Sequence, residues 1–273
     1  MLTNTLEPVQ VIAAEPPIRV KRKLLNSLIS AGSFDDFVNQ VFWLAENKYS
    51  SYVCFANVHM LMEAKQDAAF SEVLNNADLA APDGGPVSKL MKLLYGESQD
   101  RVPGMDLLPR LLQEAQARGK SVFFYGSTDD VLQAVAARAN ADLPDLRIAG
   151  TYSPPFRQLS EEEDQEIIRM INSSGADLVF VALGCPKQER WMAAHKGKVN
   201  ACMLGVGQAY MTYAGLEKRL PQWARDLSLE WTYRLWQEPR RLWKRYLLTN
   251  SLFVFEVMKL LAKGKGRHSE SSN

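Results

Sequence analysis

Long apolar runs are missing from this chain. A spanning helix needs about 18 uninterrupted apolar residues, and the longest candidate, Tyr246 to Ala262, is broken by Thr249, Asn250, Ser251, Glu256 and Lys259. Cysteine is scarce. Cys54, Cys185 and Cys202 are odd in number, far apart and without metal-ligand spacing, which argues against a disulfide framework or a zinc site and for a reducing compartment. Net charge is almost absent too: 32 Lys and Arg stand against 31 Asp and Glu, for a formal +1. Affinity for an anion must therefore come from a local cluster, and no nucleic-acid partner is expected. Residues Met1 to Pro17 carry no long apolar core behind basic residues. They do not read as a secretory signal, so a cytoplasmic protein is expected. Gly205-Val206-Gly207 lacks the third glycine of a dinucleotide fingerprint, which leaves nicotinamide chemistry resting on fold analogy alone. No Asp-x-Asp pair sits in a plausible metal-holding loop, and Asp129-Asp130 reads as helix capping, so neither metal nor cofactor is expected.

What is present is a core. With 47% hydrophobic and 23% charged residues over 273 positions, the chain is long enough for one large domain with an appendage. Apolar runs at Tyr52 to Ala56, Leu79 to Pro82, Ser121 to Tyr125, Asp177 to Leu183 and Ala201 to Val206 read as strands, as does Arg147 to Thr151. Helical periodicity lies between them, and Ser33 to Asp36 and Ser160 to Glu163 resemble capping boxes. Alternating strands and helices predict an α/β fold, a doubly wound, Rossmann-like and mostly parallel sheet. The expected division is a flexible leader over 1–17, an α/β domain over 18–220, a helical appendage over 221–262 and a disordered tail over 263–273.

The rest of the chain can be read as presenting Asp83. The run Leu79 to Pro82 ends at a proline, and Asp83 then arrives beside Gly84 and Gly85. That puts a carboxylate at a strand's carboxyl end, where open α/β sheets bind ligands. Pro-Asp-Gly is ordinary turn chemistry; the same carboxylate is also placed to take a proton from an attacking hydroxyl. Asn57 ends the preceding strand, as a turn former or a ligand hydrogen-bonder. Gly126-Ser127 joins a strand to a helix start, a geometry that can hold a phosphate on backbone amides. Asn57 and Gln188 suit sugar hydroxyls, while Gln188 and Glu189 also suit capping the helix that follows.

Beyond Leu220 the composition changes. Four of the six tryptophans, Trp223, Trp231, Trp236 and Trp243, are interleaved with arginines, and from Pro239 to His268 eight Lys or Arg stand against Glu256 alone. This pattern suits a helix in an anionic membrane interface, each cation contributing roughly 1 kcal/mol. It also suits guanidinium forks on a diphosphate, or an interaction helix.

Asn57, Pro82-Asp83-Gly84, Arg101-Val-Pro-Gly104, Gly184-Cys-Pro-Lys-Gln-Glu189 and the Leu229 to Tyr246 segment occur in order. Together they resemble the WecG/TagA/CpsF family of bacterial glycosyltransferases, over about residues 20 to 250. The resemblance implies a metal-independent, inverting transferase. It would move a sugar, often of the N-acetylmannosamine type, from UDP to an undecaprenyl-diphosphate-linked sugar at the inner face of the membrane. It puts the general base at Asp83, with Asn57 and Gln188 beside it. It also puts substrate contacts at Arg101, Gly184, Pro186, Lys187, Glu189 and Gly207, with diphosphate contacts at Arg240 and Arg241. The chain departs from the family at Phe55, where a threonine is common, and at Met211 and Thr212, where an acid is common; Tyr210 or Gln208 is a candidate replacement for that acid. Rival readings are a glucosyl-type transferase of the same family and a catalytically silent nucleotide-sugar binder. Self-association is expected because transient opening of the terminal segment would expose tryptophans and leucines.

Overall fold

In a computed structural model, six parallel strands form one sheet in the order β4-β3-β8-β7-β5-β6. The strands are β3 (Ser51–Ala56), β4 (Leu79–Pro82), β5 (Ser121–Gly126), β6 (Arg147–Tyr152), β7 (Leu178–Ala182) and β8 (Cys202–Gly205). All six predicted strands are present. The structure describes residues 15–47, 50–220, 222–226, 230–237 and 239–269; some side chains within the C-terminal helices lie outside that description.

Alternate side chains of each strand feed opposite layers, as the pleat requires. Val53, Phe55, Phe124, Phe180 and Leu204 enter one buried cluster with α1 (Phe34–Glu46), α5 (Gly104–Ala117), α6 (Asp129–Asp142) and α9 (Ala209–Tyr213). Tyr52, Cys54, Tyr125, Val181 and Met203 enter the other, with α2 (Val58–Gln66), α3 (Ala68–Asn75), α4 (Gly85–Tyr95), α7 (Glu161–Ser174) and α8 (Lys187–His195). The sheet is therefore covered on both faces, which is why its strands other than the edge strand β6 read as nearly unbroken apolar runs. Each large apolar side chain buried there contributes about 1.5–3 kcal/mol. Both predicted capping boxes form, Ser33 with Asp36 on α1 and Ser160 with Glu163 on α7.

One element has no counterpart in the sequence reading. Before α1, β1 (Lys21–Leu24) pairs antiparallel with β2 (Ser27–Ser30). Leu25 makes the turn with φ 56°, a left-handed conformation usually taken by Gly or Asn, so no glycine signalled the hairpin.

After β8 the chain leaves the sheet through α9, α10 (Gln222–Asp226), α11 (Glu230–Gln237) and α12 (Pro239–Ser269). α12 runs past position 262, so no helix ends where the sequence reading ends its appendage; Glu270 to Asn273, like Met1 to Ala14, lie outside the described residues. Among the described residues no helix is long and apolar enough to cross a membrane.

Candidate active site

A cavity of ≈ 630 Å³ opens at the carboxyl ends of β3, β4, β7 and β8. β3 is followed in the chain by its outer neighbour β4, whereas β5 lies on the other side of β3, with β8 and β7 between them. The cavity sits at this reversal of strand order, the usual ligand crevice of an open α/β sheet.

Backbone bonds fix its left-hand wall. The Asp83 N–H donates to the Ala56 carbonyl at 3.0 Å, and the Val102 N–H donates to the Pro82 carbonyl at 2.9 Å. The second bond carries Arg101-Val-Pro-Gly104 along the end of β4, so Asp83, Pro103, Gly104 and Met105 line one cavity. Gly84 takes φ 103°, a conformation open to glycine and costly for other residues, and this lets α4 start immediately after the acid. Asp83 is half-buried. Asn57 turns out to be a cap: its Oδ1 accepts from the Met60 N–H at 3.1 Å and starts α2, while the residue also lines the cavity. Phe55 lines it as well, its ring 3.5 Å from where a Cβ on Gly104 would sit.

Gln188 braces the floor. Its Oε1 accepts from the Gly184 N–H at 3.2 Å, and its Nε2 donates to the Gly205 carbonyl and to Glu189 Oε1, both at 2.7 Å. The amide thus ties the loop after β7 to the end of β8. Gly205 and Gly207 make room for it, since a Cβ on either would press on the Gln188 side chain, at 3.0 and 3.3 Å. Glu189 is fully buried behind this brace. Burial pushes its carboxyl up to about 7, with the Gln188 hydrogen bond pulling the other way.

Gly184 and Gly207 line the cavity, whereas Pro186, Lys187 and Glu189 do not. Lys187 is exposed, and Pro186 stands at the start of α8. Gly126 and Ser127 also lie outside the cavity lining. Their turn folds onto β7, with Ser127 N–H donating to the Ala182 carbonyl at 2.8 Å, and a Cβ on Gly126 would approach that oxygen to 2.6 Å. Gly126 therefore serves a close backbone approach. Arg101 lies beside Asp106, 3.9 Å away. Arg240 is exposed at the start of α12, and the Arg241 side chain is outside the described residues.

Several lining residues escaped the sequence reading. His59 stands in the first turn of α2. Gln208 lines the cavity too, its amide donating at 3.1 and 2.9 Å to the two oxygens of Glu217, an acid that itself lines a smaller neighbouring cavity and not this one. Tyr210 does not replace the acid missing at Met211 and Thr212, being buried with its hydroxyl donating to the Phe180 carbonyl at 2.7 Å. The roof is α12, through Thr249, Asn250, Phe253 and Val254, with Lys65 of α2 3.5 Å from Glu256. α12 also exposes Trp243, Leu247, Leu248, Val254, Phe255 and Met258, which share an arc of roughly 140° on a regular helix, with Val254 near the edge that the arc shares with the cavity lining. Among the described residues no group of three His, Cys, Asp or Glu is placed to hold a metal ion.

Known proteins resemble this chain over most of its length. An N-acetylglucosaminyldiphosphoundecaprenol N-acetyl-beta-D-mannosaminyltransferase of Bacillus spizizenii is 34% identical over 80% of this chain and 82% of its own length. Its counterpart in Bacillus subtilis is 31% identical over 83% and 86%. One in Staphylococcus aureus is 28% identical over 83% and 87%. The match to the family profile extends over residues 22–267, taking in the sheet, the cavity and the helical roof, and the chain belongs to the glycosyl transferase WecG/TagA/CpsF family.

Proposed function

We propose that the protein transfers a sugar of the N-acetylmannosamine type from a UDP-sugar to a prenyl-diphosphate-linked N-acetylglucosamine, with inversion and without a metal, in cell-surface polysaccharide synthesis. The observation that carries this reading is Asp83, held by backbone bonds at the edge of a cavity of ≈ 630 Å³ in a chain of this family. The acceptor hydroxyl attacks the donor's anomeric carbon, forming the new C–O bond as the bond to UDP breaks, and Asp83 takes the hydroxyl proton. A positioned base of this kind contributes about 10²–10⁴-fold. UDP departs with the bonding electrons, and arginines supply the positive charge that stabilises it.

α12 supports a role at the membrane surface. One side covers the cavity and an adjoining side exposes an apolar stripe, crossed by Ser251, next to a basic start. We assign that stripe to an anionic lipid interface on the inner leaflet, where the prenyl chain of the acceptor is anchored. Sedimentation separates this from self-association: concentration-dependent dimers lost on replacing Phe255 would make a second copy the cover instead.

The test is UDP release by purified protein given a short-chain prenyl-diphosphate N-acetylglucosamine and a panel of UDP-sugars. Acceptor-dependent release with UDP-N-acetylmannosamine is expected. Release with UDP-glucose instead would move the reading to a glucosyl transferase. Silence across the panel with UDP still bound would favour a nucleotide-sugar binder.

A further inference from the structure

Gln208 lines the cavity at the start of α9, yet its side chain does not cap that helix. Its Nε2 donates instead to both oxygens of Glu217, at 3.1 and 2.9 Å. The return of the chain from α9 brings the partner there: Gly215 takes φ 74°, and the Glu217 N–H donates to the Met211 carbonyl at 3.1 Å. A carboxylate only accepts hydrogen bonds, so the amide is fixed with its nitrogen toward Glu217. What Gln208 has left for a bound molecule is Oε1, to which no described residue donates. Bonding to a charged partner polarises the amide and strengthens that oxygen as an acceptor.

The surroundings narrow what the acceptor meets. Phe55, Met105 and Val206 line the same cavity; Phe55 and Val206 belong to one buried cluster, and Met105 packs against it. An apolar wall with a single oriented polar atom suits a flat ring that is apolar on its faces and polar at its edge. A phosphate oxygen, itself an acceptor, finds no donor in Oε1. Position points the same way. Asp83 follows β4 and Gln208 follows β8, with β3 between them; two strand spacings come to roughly 10 Å, more than the width of one sugar ring. A donor whose reacting carbon lies at Asp83 therefore reaches Gln208 with the part beyond its diphosphate.

We propose that Gln208, set by Glu217, reads the nucleoside end of the donor, its Oε1 accepting a hydrogen from the base or the ribose. The identity of the donor rests on the transfer proposed above; the acceptor itself rests on the Glu217 hydrogen bonds. Uracil offers a ring N–H at the position where cytosine offers only a lone pair, and a ribose offers hydroxyls. Glu217 is a positioning residue in this scheme: it touches no ligand and decides which end of the amide faces one.

The test is calorimetric titration of the full chain with UDP, CDP, 2′-deoxy-UDP and inorganic pyrophosphate, for wild type, Gln208→Leu and Glu217→Gln, with thermal unfolding of each. Wild type is expected to prefer UDP over CDP if the base is read, or over 2′-deoxy-UDP if the ribose is. Gln208→Leu should weaken UDP roughly two- to tenfold and abolish that preference, with pyrophosphate binding unchanged. Glu217→Gln should blunt the same preference in a folded protein, because an amide partner both donates and accepts and no longer fixes the orientation of Gln208. It also stands in for Gln208→Leu should that variant prove unfolded. A wild type that binds UDP, CDP and 2′-deoxy-UDP alike would overturn the proposal. So would a preference that survives in Gln208→Leu, whatever the change in melting temperature. If the preference depends on Gln208 yet wild type transfers no sugar, the nucleoside contact stands and the transfer reading falls. If wild type transfers sugar from a UDP donor and Gln208→Leu keeps the preference, the contact falls alone.

Discussion

The floor and the roof of the cavity are built on opposite terms. The floor consists of strand ends whose polar groups are engaged within the protein: Asn57 caps α2, Asp83 N–H is bonded to β3, and Gln188 spans the loop after β7 and the end of β8. The roof is a single helix, held on one side by Phe253, by its cavity contacts and by the Lys65–Glu256 pair, with an apolar stripe on the adjoining side. A wall meant to hold reacting groups still needs internal satisfaction. A cover that exposes large apolar side chains implies something outside the fold to cover it. The difference teaches that the two halves should fail differently when altered.

The largest effect is expected on the floor. Asp83→Asn should cut acceptor-dependent UDP release by about 10²–10⁴-fold with UDP affinity and melting temperature retained. Full turnover would remove Asp83 as the base.

The buried carboxyl behind the brace comes next. Glu189 has a folded value raised from 4.5 to about 7, so the folded state holds its proton more tightly than the unfolded chain does. Its contribution to stability is complete below about 4.5 and is lost as pH rises through about 7, a change on the order of 3 kcal/mol. Denaturant unfolding from pH 4.5 to 8 should show wild type losing stability relative to Glu189→Gln. Parallel curves would show that the carboxyl is not proton-linked to folding.

Gln188→Leu should destabilise by about 1–3 kcal/mol, because the Gly184 N–H and the Gly205 carbonyl lose their partner in a buried site. A denaturation midpoint within error of wild type would mean that water replaces the brace. At the small end, Leu248→Ser with Phe255→Ser on the outer stripe should change stability by no more than about 0.5 kcal/mol each while weakening retention on anionic liposomes. Unchanged retention would detach the stripe from the membrane.

The same contrast explains what was legible in the sequence. Strands such as Leu178–Ala182 were readable because a parallel strand buried on both faces is apolar throughout. Asp83 was readable because its proline and glycines mark the turn. Gly126 and Ser127 misled, since every strand-to-helix turn offers backbone amides; whether it faces the cavity depends on strand order, which is non-local. The bracing role of Gln188 was not legible because an amide's partner seventeen residues away, the Gly205 carbonyl, leaves no local trace. Glu217 went unread because its partner Gln208 lies nine residues earlier, on the other side of α9.

The most direct test of the two-sided account is acceptor-dependent UDP release on a short-chain, detergent-soluble acceptor, measured side by side for wild type, Asp83→Asn and the Leu248→Ser/Phe255→Ser variant. The account predicts that Asp83→Asn falls nearly silent while the stripe variant keeps its turnover, since a soluble acceptor needs no lipid contact. An active Asp83→Asn beside a silent stripe variant would contradict it and move the chemistry from the strand ends to the roof.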